Sequence, residues 1–214
     1  MAVILRSPIL FLMTVKTDLQ CLQSIPNLDA LSLNFNFVED LILRKNIAIV
    51  LQYIIFLISL EKNHSLPGAI SYTIYKDMIV QTACIAECLL CYGITKGIDN
   101  GKTTLSLVGI SENKFKNFQK VYDISPSEKA GAVIQIRKSI SPKDGQFNDL
   151  IPAAKRIGLV NETLKGELDL IRIARNKIHL SSLTKVDDVY VKEDVEKMFA
   201  TVKKLKNSIV KYLN

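Results

Sequence analysis

Tryptophan is absent from this 214-residue chain, and glycine, proline and cysteine are scarce at nine, six and four residues. Sandwiches and barrels need frequent turn-formers, so this scarcity argues against an all-β fold. The cysteines are Cys21, Cys84, Cys88 and Cys91. They do not form a disulfide framework, and no CxxC turn or fourth ligand supports a zinc site. At i, i+4 and i+7, the last three read as small thiols on one helix face, in a reducing cytoplasm. Only two histidines occur, His64 and His179. A phosphate-binding loop is also missing: Gly97 and Gly101 enclose three residues where that loop has four. Asp99-Asn100-Gly101 is ordinary turn chemistry. The residues therefore imply no metal and no cofactor.

Long apolar runs are short of membrane length. The longest, 47–60, holds fourteen residues behind Arg44 and Lys45, against about 20 for a bilayer span. It reads as a helix apolar nearly all round, expected at the centre of a bundle, with no membrane partner. The apolar stretch 1–15 is interrupted by Pro8 and lacks a small-residue cleavage site. It reads as an element end packing on the core rather than a signal peptide.

Leucine, isoleucine and lysine are abundant, and the formal net charge is +7. Mild basicity fits a polyanionic partner such as RNA. Helical periodicity runs through 37–63, 68–94 and 192–213. Within 68–94, Ile79, Ala83, Ala86 and Leu90 form the core face, and Glu87 is a lone carboxylate in an uncharged run. His64 falls at a helix end, where the dipole favours it. The stretches 105–110 and 132–136 have β character, with KFKNFQKVY between them. A short helix over 146–157 starts or kinks near Pro152, and Gly158 stops it. Asn161 is a good N-cap for the helix that follows.

That helix, 164–180, reads LKGELDLIRIARNKIHL. Leu164, Leu168, Ile171, Ala174 and Ile178 make its apolar stripe. Arg172, Arg175 and His179 fall within about 60° of one another on the flank of that stripe, beside Asn176. Such a cluster is expected half-buried, at a groove or a subunit seam. Glu87 is a candidate partner for either arginine, the alternative being a solvent-facing carboxylate.

Arg175-Asn176-Lys177-Ile178-His179, preceded by Arg172, resembles the signature of HEPN domains, in which an Arg and a polar residue precede a His by four to six residues. Six residues separate Arg172 from His179, but Ile173 follows that arginine; three separate Arg175 from His179, and Asn176 follows. Either arginine can be the matching one. The resemblance implies an all-α, up-and-down helical bundle, with a small irregular or β-hairpin insertion at about 101–140. The bundle would span 37–214, with 1–36 as an N-terminal segment packing on it. It also implies metal-independent endoribonuclease activity in a toxin–antitoxin or phage-defence context. His179 would move protons, Arg172 and Arg175 would hold the phosphate, and Asn176 would orient them. One histidine per chain implies a homodimer through the motif helix, and the context implies an antitoxin partner. The alternative is a non-catalytic HEPN-like module for RNA binding or protein interaction.

Overall fold

The computed structural model describes residues 25–177 and 190–214, with the backbone alone over 112–122 and 129–137. The apolar stretch 1–15, Cys21, Ile178, His179 and Leu180 lie outside the described residues. The fold is all-α, interrupted by one β-hairpin. The chain divides into two compact units, Met1–Ile85 with Lys177–Lys197, and Ala86–Asn176 with Met198–Asn214.

In the first unit, Asn27 starts α1 (Leu28–Ser32), its Oδ1 accepting from the Ala30 amide at 2.8 Å. A 3-10 turn, Leu33–Phe35, follows. Asp40 then caps α2 (Leu41–Asn63), accepting from the amides of Ile42 and Leu43 at 2.9 and 3.0 Å. Those bonds satisfy donors that a helix start otherwise orphans. α1 packs against α2, and Gln52 Nε2 donates to the Pro26 carbonyl at 2.9 Å. His64 forms the C-cap, its backbone N–H reaching Leu60 O. α3 (Gly68–Asp99) follows after four residues. Tyr53 donates to Asp77 at 2.6 Å and Tyr75 to Glu61 at 2.7 Å, tying α2 to the start of α3. Ile47, Ile54, Leu57, Met78, Ile79 and Ala83 are buried.

One expectation is corrected here. α2 does not have the fully buried position expected of a central helix: only 22% of its apolar window is buried, against 61% for α3. Ile47, Ala48, Ile54 and Leu57 face inward, while Ile42 and Ile49 remain 75% and 49% exposed. Four inward side chains are enough for one packed face, so the rest of an all-round apolar helix stays uncovered. By length and composition alone, α2 and α3 each suffice to cross a membrane.

The second unit takes α3 from Ala86 onward. Gly101, at φ +68°, closes the turn after it. The stretch 105–110 is a helical turn rather than a strand. Thr104 caps α4 (Leu105–Val108), and Gly109 at φ +63° ends it. A side-chain cap and a left-handed glycine override the β preference of the apolar residues between them. β1 (Ser111–Asp123) takes in the stretch read as lying between strands. It pairs antiparallel with β2 (Lys129–Ser139), from Ser111↔Ser139 to Asp123↔Lys129, with register shifts between Lys116 and Gln119 and between Lys120 and Tyr122. This hairpin is the expected insertion. A 3-10 turn, Pro142–Asp144, leads to α5 (Phe147–Arg156), which begins well before Pro152 and continues through it. Proline removes one N–H from a helix already started by the Asp149 carboxylate on the Gln146 amide. α6 (Glu162–Asn176) and α7 (Lys192–Leu213) complete the element order. Phe147, Leu150, Ile151, Leu168, Ile171 and Leu205 are among its fully buried side chains.

Candidate functional site

α6 carries the candidate site. Gly158, at φ +76°, lets the chain leave α5, and Asn161 Oδ1 accepts from the Leu164 amide at 2.8 Å. Glu162 sits in the first turn, where the helix dipole favours a carboxylate. Leu164, Leu168 and Ile171 are buried, as the apolar stripe requires. The helix ends at Asn176 and Lys177 lies in a turn, so the motif helix stops short of the expected 180 within the described part.

Both arginines are half-buried and both meet a carboxylate. Arg175 Nη2 lies 3.3 Å from Glu87 Oε2, with side-chain exposures of 34% and 25%. Of the two arrangements left open for Glu87, the structure has the ion pair with Arg175. Arg172 Nε donates to Asp169 Oδ1 at 3.2 Å, and Lys165 lies 3.5 Å from the other oxygen of that carboxylate. Asn176 is exposed. Sequence reasoning missed Asp169, although its i, i+3 spacing to Arg172 was a usable signal.

Glu87 brings the cysteine face of α3 into this neighbourhood. Burial pushes the Cys91 thiol above its ordinary range. A thiol held protonated is a packing group rather than a nucleophile. Among the described residues, no three His, Cys, Asp or Glu side chains come together as a metal cage.

On the other flank of α6, Glu167 accepts from Lys204 Nζ at 2.5 Å and from Thr201 Oγ1 at 3.3 Å. A cleft of about 760 Å³ opens there, lined by Asn161, Leu164, Glu167, Lys204, Ser208 and Lys211, among others. Neither Arg172 nor Arg175 lines it. Its polar groups are largely satisfied within the chain: Asn161 caps α6, and Ser208 donates to the Leu159 carbonyl at 2.6 Å.

The outward face of α6 is apolar in part. Leu170 is 64% and Ile173 44% exposed, and with Gly166 they fall on one stripe at i, i+4, i+7.

Comparison with known protein families, curated proteins and solved structures gives no match for this chain.

Proposed function

We propose that the chain is a metal-independent endoribonuclease with a composite site completed by a second copy through the motif helix. The observation that carries this reading is the Arg175–Glu87 ion pair. A lone carboxylate on a long helix holds one of the two candidate phosphate-binding guanidiniums half-exposed, where it can reach an anion. Forked guanidinium donors suit phosphate oxygens. His179 supplies the proton-moving group, since imidazole takes both charge states near neutral pH. A second chain supplies the second imidazole, so that one removes the 2′-hydroxyl proton and the other protonates the leaving 5′-oxygen. RNA is the substrate, and toxin or phage-defence chemistry the setting the HEPN resemblance implies.

A second reading is a non-catalytic RNA-binding or interaction module. Two observations favour it: each arginine already has a carboxylate partner, and only three residues separate Arg175 from His179. Incubating the purified chain with a mixed RNA pool in EDTA separates the two. The nuclease reading predicts fragments ending in 2′,3′-cyclic phosphate. RNA retained but intact would replace it with the binding module.

A further inference from the structure

We infer that the β1–β2 hairpin is an arm that binds single-stranded RNA, its cations serving the phosphates and its aromatics the bases. The inference rests on the RNA reading above for the identity of the polyanion, not on cleavage. Residues 113–122 read NKFKNFQKVY and residues 129–138 read KAGAVIQIRK. Together they hold six cations and no carboxylate. The acids of the hairpin stand at its ends: Glu112 at the base, Asp123 and Glu128 at the tip. The register spreads the cations over both faces, because paired residues share a face and successive residues alternate. Lys114↔Ile136, Lys116↔Ile134 and Glu112↔Lys138 put three on one face. Asn113↔Arg137, Lys120↔Gly131 and Asp123↔Lys129 put three on the other. Both register shifts add a residue to β1, and such bulges increase the twist of a ribbon. The arm is therefore a twisted strip of positive charge on both sides.

The base of the arm is fixed. Val108 and Ile110 are buried, the Ile140 amide donates to the Ile110 carbonyl at 3.1 Å, and the Arg156 guanidinium on α5 donates to the Val108 carbonyl. The tip is closed by the Ile124 amide on the Glu128 carbonyl at 3.0 Å. Between base and tip, the main packing partner of each strand is the other strand. Two strands alone are marginal in water, so a ligand that covers them stabilises them. Charge complementarity makes that ligand a polyanion. Phe115, Phe118 and Tyr122 interleave with Lys114, Lys116 and Lys120 along β1, and alternating charge and aromatics make a stacking platform for unpaired bases. A duplex keeps its base faces stacked, and the major groove of A-form RNA is too narrow for side chains to read. A third protein strand is opposed by the lysines, since both strands are edges. Hydrocarbon is opposed by the open backbone groups of those same edges. The hairpin belongs to the same compact unit as Arg175 and Glu87.

The test is fluorescence anisotropy of a labelled, mixed-sequence 2′-O-methyl RNA of about 16 nucleotides, titrated with the full chain in EDTA at several salt concentrations. The blocked 2′-oxygen prevents the attack that cleavage needs, so binding is read whether or not the chain is a nuclease. Lys114→Gln, Lys116→Gln and Lys120→Gln together should weaken binding at least 10-fold and lower the salt slope by about 2, at roughly 0.7 per phosphate of a single strand. The same charge change on α7, by Lys203→Gln, Lys206→Gln and Lys211→Gln, should stay within about 3-fold of wild type. Phe118→Leu should weaken binding about 5-fold or more with the slope unchanged. Ultraviolet cross-linking of wild type to the same oligomer needs no variant, and mass spectrometry should find the adducts within 111–123. Equal losses from the two triple variants would make the hairpin a mere share of the net charge and overturn the arm. So would a hairpin triple that binds like wild type, tighter binding of the matching duplex, adducts confined to other segments, or no binding by wild type. Hairpin-dependent binding without cleavage of natural RNA would remove the nuclease reading and leave the arm. Cleavage with hairpin-independent binding would do the reverse.

Discussion

Arg175 is the residue on which the site turns, and its partner decides how it behaves. Side chains about a quarter and a third exposed form a pair that solvent still screens. A double-mutant cycle of Glu87→Gln with Arg175→Gln should therefore give a coupling of about 0.5–1 kcal/mol in urea unfolding, not several. Glu87→Gln alone frees the guanidinium, so it should tighten RNA binding in low salt, as read by filter retention. The same scale holds a steric prediction at Gly109. Its backbone is left-handed, and an added Cβ would sit 2.5 Å from Arg156 Nη1, the group that bonds the Val108 carbonyl. Gly109→Ala should cost about 1–2 kcal/mol by thermal melting.

At the scale of elements, caps and periodicity made much of the helical framework readable. The residues that stop α5 and start α6, Gly158 and Asn161, are legible because each performs a local task that only a few residue types can do. Asn161→Ala should remove about 1 kcal/mol of stability, measurable as a lower urea midpoint with an unchanged slope. The core face Ile79, Ala83, Ala86 and Leu90 of α3 was legible because a 3.6-residue period survives any packing. The failure at 105–110 has the opposite cause, since a stretch this short carries no period and the capping pair, Thr104 and Gly109, decides. The exposure of α2 was invisible because burial depends on what else the chain supplies, not on the helix itself. Of the site, the half-burial of the arginines could be read from their place on the flank of a stripe. The choice of Glu87 for Arg175 could not, because residues 88 apart in sequence meet only through the fold. Between α2 and α3, the bond from Tyr75 to Glu61, aided by burial and by the Glu61 and Glu193 charges, pushes the Tyr75 hydroxyl up to about 12. The folded chain then keeps a proton that the unfolded chain releases near 10. This contribution is complete below about pH 10 and is lost as pH rises to about 12. Tyr75→Phe should flatten that part of the alkaline stability curve, followed by fluorescence-detected urea unfolding at each pH.

The molecule as a whole is a basic helical chain in which a half-buried carboxylate holds an arginine at the surface. The +7 charge supplies sequence-independent attraction to RNA that weakens with salt. Chemistry, by contrast, must come from a few side chains, and His179 is the one the nuclease reading cannot do without. The most direct measurement is single-turnover cleavage of a short end-labelled RNA in EDTA, for wild type, His179→Ala and Arg175→Ala. The account predicts cleavage by wild type to a 2′,3′-cyclic phosphate, reduced at least 100-fold in His179→Ala and clearly weakened in Arg175→Ala. Cleavage by His179→Ala at the wild-type rate, or none by wild type at any RNA concentration, would contradict it.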